Sequence, residues 1–270
     1  MSCLKHNDVT IVIQGPINKT TLFAIAKYRQ LAEIIIVHSS DCNDPNYLKF
    51  KDHENLKIIT YRPDEVSKYV EKIRTCNGNQ LHACFQYYST NLGINASRKN
   101  FIIKTRSDEY YENMDYFINR VKDNPDCIIT NNIFFRKINF KKCHPSDHLI
   151  GTTRIIFSHS MKILFEMIET GKITKYHIEN WQHNCLVPEQ YFGVSFLHAL
   201  HELYEIPQTE ASIFKHIRKI RVNKLGNYKI TNNEARRVFV NNYNINTRFD
   251  DDRIDNIEEE TKKFSENKFI

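Results

Sequence analysis

Through its first 132 residues the chain alternates short, β-rich apolar runs with helix-length amphipathic stretches. This alternation constrains the fold more than any other feature, because strand, crossover helix and parallel strand together build an α/β sheet. Residues 9–14, 33–38, 56–61, 100–105 and 126–131 read as strands, and 19–32, 80–95 and 114–122 as helices. Four of the strands run into polar or glycine tips: Gln14-Gly15-Pro16, Ser39-Ser40-Asp41, Arg62-Pro63-Asp64 and Arg106-Ser107-Asp108. In open α/β sheets ligands bind beyond the carboxyl ends of the strands, so these tips belong to one candidate site.

After residue 132 the rhythm changes. Residues 154–158 read as a strand, and 160–170 and 189–203 as helices that cap the sheet. From Ile206 the apolar periodicity fades into a basic run, Lys215-His216-Ile217-Arg218-Lys219-Ile220-Arg221, and then acidic groups at Asp250-Asp251-Asp252 and Glu258-Glu259-Glu260. This reads as a peripheral helical or irregular arm. Without Gly-rich or RNP-like aromatic motifs, the basic run suits a solvated helix or a membrane-surface patch better than nucleic acid.

A length of 270 residues with 41% hydrophobic content suits one α/β domain with an appendage. No apolar stretch is long enough to span a membrane, and residues 1–8 lack a signal-like apolar core, so a cytoplasmic location is expected. The seven cysteines are scattered and never form C-x-x-C, which points to reduced thiols rather than a disulfide framework or zinc ribbon. Cys143, His144 and His148 cluster in sequence, but no regularly spaced fourth ligand accompanies them, so they read as loop residues. The net charge of +6 suits anionic small molecules as well as nucleic acid or lipid heads.

The stretch Lys104-Thr105-Arg106-Ser107-Asp108-Glu109 carries the sharpest chemistry. A strand-tip carboxylate such as Asp108 can hold Mn2+ or Mg2+, which in turn holds a diphosphate. The forked donors of Arg106 match phosphate oxygens directly. The plainer reading is a solvated Arg106–Asp108 pair. Gly15 lets backbone approach a ligand, and Asp41 can accept from ribose hydroxyls or a base. Neither G-x-G-x-x-G after the first strand nor a P-loop pattern is present.

Taken in order, VTIVIQGP, FQYYSTNLGI, IIKTRSDEYY, HPSDHLIG and VPEQYF resemble the WavE family of lipopolysaccharide-synthesis proteins, over roughly residues 9–200. The resemblance implies a GT-A-like fold: a nucleotide-binding central mixed sheet flanked by helices, with the C-terminal arm appended. It also implies transfer of a sugar from a nucleotide-sugar donor to a glycan or glycoconjugate acceptor. On this reading residues 1–205 are the glycosyltransferase domain, with a nucleotide-binding half at 1–132 and an acceptor-side half at 133–205, and 206–270 are the arm. Gln14, Gly15, Ser39, Asp41, Gln86 and Arg106 would then contact the nucleotide sugar, and Asp108 the metal. Asp147 and Glu189 match two later acidic positions. Two positions depart from the family's pattern: Arg106 fills the slot of the first D-x-D aspartate, and Phe85 replaces the usual Arg before the helix glutamine.

Glu189 follows Pro188, which is favoured in a first helical turn, where the helix dipole makes a carboxylate a weaker base. Asp147 lies in the loop His144-Pro145-Ser146-Asp147-His148. The expectation is therefore Asp147 as general base and Glu189 as a sugar-hydroxyl ligand. The competing functions are a non-catalytic nucleotide- or glycan-binding module and a nucleic-acid-binding protein. Asp41, Asp108 and Asp147 at one site speak against a polyanionic partner. The basic arm leaves room for contact with the cytoplasmic membrane surface.

Overall fold

All six residues of β1 (Val9–Gln14) are buried, so this strand needs cover on both faces. Its side chains alternate as strand geometry requires: Val9, Ile11 and Ile13 enter one core, and Val12 enters the other. The computed structural model describes residues 4–39, 53–73, 80–131, 145–171, 188–209, 212, 215–220, 222–231 and 234–237.

In chain order, β1 is followed by α1 (Lys19–Tyr28), β2 (Glu33–Ser39), β3 (Leu56–Tyr61), α2 (Pro63–Val70) and α3 (Gln80–Ala96). Next come β4 (Phe101–Arg106), β5 (Tyr110–Tyr111), α4 (Met114–Lys122), β6 (Ile128–Asn131) and β7 (Leu149–Thr153). The remainder is α5 (Arg154–Thr170), α6 (Pro188–Tyr204), β8 (Ile217–Ile220), α7 (Val222–Leu225), β9 (Asn227–Thr231) and β10 (Glu234–Arg237). The fold is α/β. Seven strands form a mixed sheet in the order β3-β2-β1-β4-β7-β6-β8, and β10-β9-β5 form a small second sheet. β3, β2, β1 and β4 run parallel, while β7 is antiparallel to both β4 and β6.

Residues from α2, α3, α5 and α6 pack with Val12, Ile35, Ile102 and Ile150 on one face. Residues from α1 and α4 pack with Ile11, Ile34, Ile103 and Leu149 on the other. Asn18 starts α1 by accepting from the backbone N–H groups of Thr20 and Thr21.

Two expectations are corrected. Residues 154–158 are the first turns of α5, and the strand lies just upstream as β7. Thr153 caps the helix, and the buried Ile156, Phe157, Ser160, Met161, Leu164, Met167 and Ile168 follow helical spacing. The β-branched start, Ile155-Ile156, imitates a strand only over that short window. The basic run is likewise no solvated helix: Ile217–Ile220 is β8, parallel to β6 at the sheet edge, with Ile217 and Ile220 turned into the cores. The arm continues into β9, which pairs with β5 through Tyr110↔Tyr228 and Tyr111↔Asn227. No helix of the described residues is long and apolar enough to cross a membrane.

Close approach of α3 to the sheet depends on Gly93. A Cβ there would lie 2.3 Å from Val12 Cγ1 and 3.2 Å from Val37 Cγ2. Gly93→Ala is therefore expected to destabilise the protein by about 1–3 kcal/mol through overpacking. That loss outweighs the gain in helix propensity of up to about 1 kcal/mol. Urea unfolding measures it as a lower midpoint at unchanged slope.

Candidate functional site

Parallel pairing sets Gln14 of β1 beside Arg106 of β4, so both strand tips end at the same level. The antiparallel partner β7 enters from the other direction, with Thr105 opposite Leu149. Its preceding residues, Asp147 and His148, are thereby delivered to the carboxyl ends of β1 and β4. Neither sequence distance nor residue type announces this meeting; the β4–β7 register creates it.

Lys104 is the buried centre of the site, with no exposed surface although it carries an amine. Its Nζ donates to the Asp147 backbone carbonyl and lies 5.6 Å from the centroid of the Phe192 ring. In the amide orientation that satisfies its neighbours, the Gln14 nitrogen faces Ser89 Oγ, Thr90 Oγ1 and the Gln86 carbonyl. Its oxygen then accepts from Lys104 Nζ at 3.2 Å. Burial lowers the Lys104 pKa to about 8, against the opposing pull of the Asp147 charge.

Three carboxylates surround this lysine. Asp147 is 6% exposed, and its Oδ2 accepts from Gln86 Nε2. Burial would raise its pKa, but the charges of His148, Lys104 and Arg106 and the Gln86 hydrogen bond hold it well below the usual carboxylate range. Glu109 is buried between His148 Nδ1 and the Tyr111 hydroxyl, and Asn131 Nδ2 donates to that same hydroxyl at 2.8 Å. Burial opposes ionisation of Glu109 as well, yet His148 and Arg106 lower its pKa overall. In return Glu109 raises the His148 pKa against the effect of burial. Asp108 takes both donors of the Arg106 fork, at 2.9 and 3.0 Å. Burial alone would lower the Arg106 pKa, and the hydrogen bond to Asp108 together with the charges of Asp108, Asp147 and Glu109 more than reverses this. Lys104, Arg106 and His148 thus face Asp108, Glu109 and Asp147.

The backbone around the site is held as firmly. Gly15 adopts φ +114°, and a Cβ there would lie 2.6 Å from Ser107 Oγ, so the turn after β1 accepts only glycine without strain. Thr21 Oγ1 donates to the Ser107 carbonyl at 2.9 Å, and Thr130 Oγ1 to that of Ser146 at 2.8 Å.

The structure brings together Gln14, Gly15, Gln86, Arg106, Asp108 and Asp147 from the residues expected in sequence. Glu189 is half-buried in the first turn of α6. It acts electrostatically on Tyr87, as Asp147 also does, and the Tyr87 hydroxyl donates to the Pro188 carbonyl at 2.7 Å. Ser39 ends β2, the strand on the far side of β1, and its carbonyl accepts from His38 Nδ1 at 2.7 Å. Asp41 lies outside the described residues, as do Cys143 and His144. Lys104, Glu109, His148, Tyr111 and Asn131 complete the network. Of these, Lys104 had a legible signal: a lone charge inside an apolar strand.

The donor set does not fit a hard divalent cation at Asp108. Such an ion wants six or more oxygen ligands, several of them waters for Mg2+. Here both Asp108 oxygens face a guanidinium. Among the described residues, the neighbouring carboxylates of Glu109 and Asp147 are committed to His148, Tyr111 and Gln86. Arg106 stands where Mn2+ or Mg2+ was expected.

No protein-family model matches the sequence, and no curated protein matches it. Solved structures similar to it include the apo form of mouse xyloside xylosyltransferase 1, with 9% identity over 78% of this chain and 85% of that one and a TM-score of 0.43. The galactosyltransferase LgtC, crystallised with donor and acceptor sugar analogues, is 11% identical over 69% of this chain and 70% of that one, with a TM-score of 0.46. Residues 1–349 of S. aureus TarS are 12% identical over 70% of this chain and 55% of that one, with a TM-score of 0.38.

Lys104 gives the site a pH signature. Between pH 8 and about 10 the unfolded lysine keeps its proton while the folded one has lost it, so its contribution to stability rises with pH. Relative to Lys104→Met, the wild type should gain stability over that window, by at most about 1.4 kcal/mol per pH unit. Urea unfolding of both proteins at pH 7.5 to 10 checks it; parallel curves would contradict a buried, titrating Lys104.

Proposed function

We propose that the protein is a GT-A-like glycosyltransferase, transferring a sugar from a nucleotide-sugar donor to a hydroxyl of a glycan or glycoconjugate acceptor. The observation that carries this reading is the Arg106–Asp108 pair at the carboxyl edge of the sheet, backed by a buried network in which every charge is compensated. It lies where parallel β4 meets antiparallel β7, beside the glycine turn after β1. The motifs that resemble the WavE family, above all Lys104-Thr105-Arg106-Ser107-Asp108, support the same reading and extend it to polysaccharide or lipopolysaccharide assembly in the cytoplasm.

On this reading the donor lies over Gln14, Gly15 and Ser39, with Gln86 and Arg106 towards its diphosphate. The acceptor oxygen attacks the anomeric carbon as the bond from that carbon to the diphosphate oxygen breaks. Arg106 neutralises the negative charge that gathers on the leaving group. The acceptor proton passes to a carboxylate. Asp147, held far below the usual carboxylate range, is a weak base and suits gripping a donor hydroxyl. Glu189, half-buried at the start of α6, takes the proton, because a helix dipole weakens a base less than the three cations around Asp147 do. These roles reverse the assignment drawn from sequence, and the reason is the cationic surroundings of Asp147.

Thermal shift with nucleoside diphosphates and their sugars should show a rise in melting temperature for one base, since ligands that bind only the folded state stabilise it. The rise should survive chelation. A shift that appears only with added Mn2+ would put a cation in the place given to Arg106. Arg106→Lys should weaken donor binding about tenfold, the loss of one bidentate contact, with circular dichroism unchanged. Binding of the donor without turnover on any acceptor would favour a non-catalytic binding module.

The two acids separate kinetically. Glu189→Gln is expected to lower turnover by about 100-fold or more at nearly unchanged donor affinity, the typical scale of a lost general base. Asp147→Asn should weaken donor binding. The opposite pattern, measured by transfer kinetics and donor titration, restores Asp147 as the base.

A further inference from the structure

A second cluster lies at the other end of β6, away from Asn131 and the strand tips. Asp126 and Cys127 precede β6, and His216 precedes β8, so the parallel pairing of these strands brings all three side chains together. Their ligand atoms, a carboxylate oxygen, Sγ and a ring nitrogen, lie within 4.8 Å of one another. Cys127 Sγ is 3.5 Å from Asp126 Oδ1, and His216 Nδ1 is 3.8 Å from Asp126 Oδ2. Around a tetrahedral ion with bonds of about 2.0 to 2.3 Å, ligand atoms stand roughly 3.3 to 3.6 Å apart, so small side-chain rotations suffice. The Lys215 carbonyl, 3.7 Å from Cys127 Sγ, is in reach as a fourth ligand.

We propose that Asp126, Cys127 and His216 bind a zinc-class divalent ion that ties the C-terminal arm to the central sheet. One thiolate, one imidazole and one carboxylate form a soft-to-intermediate donor set, which selects Zn2+ over Mg2+ or Ca2+. Their combined charge of −2 neutralises a dication. Two cations neighbour the site, Lys215 and Arg218, and the Arg218 guanidinium is already engaged by the Asn124 side chain and the Lys215 carbonyl. Cys127 and His216 are buried, while Asp126 is 60% exposed on its side chain and leaves the ion a route in. Binding replaces the thiol S–H bond with an S–metal bond and releases that proton to solvent, while the His216 ring proton leaves Nδ1, which faces the Asp126 carbonyl, and the ring is held as the Nε2–H tautomer. Cys127 Sγ donates to Asp126 Oδ1 and His216 Nδ1 to the Asp126 carbonyl at 3.3 Å, which holds the same three residues together.

The consequence reaches the first site. β8 leads through α7 into β9, and β9 pairs with β5, the two residues that follow Glu109. The Glu112 and Asn113 N–H groups donate to the Gly226 and Leu225 carbonyls, both at 3.0 Å. An ion at the foot of β8 would therefore brace the strand-tip loop from behind. This inference is independent of the sugar-transfer reading.

Cobalt(II) is the probe. The 270-residue chain, reduced and stripped by chelator, should take up one equivalent of Co2+, with a thiolate-to-cobalt charge-transfer band and the visible bands of tetrahedral cobalt. Zn2+ should abolish these bands and raise the melting temperature of the wild type. Cys127→Ser should remove the charge-transfer band, and His216→Ala should weaken Co2+ binding by more than about 100-fold, beyond the scale of an outer-shell change. Cys84→Ser, at a buried cysteine elsewhere, should bind as wild type does. A wild type that shows no band at stoichiometric Co2+ overturns the proposal whatever the variants do. A band that survives Cys127→Ser, or binding unchanged in His216→Ala, overturns it too.

Discussion

Lys104 carries a cationic amine in the middle of a sheet, between Ile103 and Thr105, with no contact with water. A buried charge is tolerated only when its neighbours compensate it, and the neighbours of Lys104 are the parts of the candidate site. Its ammonium fixes the Asp147 carbonyl and the Gln14 amide, so it joins the loop before β7 to the tip of β1. Gln86 then closes the loop onto α3 through the Asp147 carboxylate. Removing the lysine would leave Asp147 among fewer cations and the carbonyl without its donor.

β1, β2 and β4 were legible because a strand buried on both faces shows itself as a continuous apolar run, as Ile34-Ile35-Ile36-Val37 does. β8 was not, because it is only four residues long and carries as many charges as apolar residues: Ile217 and Ile220 go inward while Arg218 and Lys219 lie between them. α5 was misread at its start because β-branched residues are common in strands and are tolerated in helices that packing holds. The tip residues of the site were legible from strand ends. Their partners were not: Lys104 and Asp147 stand 43 residues apart, and Glu109 and His148 stand 39 apart. Only the register of β4 against β7 makes them neighbours, and register is set by which faces are buried, not by any motif.

The same geometry decides what a ligand would meet. Glu109, His148, Lys104 and Asp147 are buried, whereas the side chains of Arg106 and Asp108 are 38% and 33% exposed. An incoming anion therefore competes with Asp108 for one guanidinium fork. With Asp108, Glu109 and Asp147 set against Lys104, Arg106 and His148, the resting site has no net positive charge to attract a diphosphate at long range. Its selectivity must come at short range, from exchanging one bidentate partner for another of the same shape. That exchange would free Asp108 beside a bound phosphate, where its negative charge is unfavourable unless a hydroxyl or a cation meets it. On the proposed reading the sugar supplies the hydroxyl. On that reading a nucleotide sugar is held better than its nucleoside diphosphate, because a sugar hydroxyl meets the carboxylate that the phosphate has displaced.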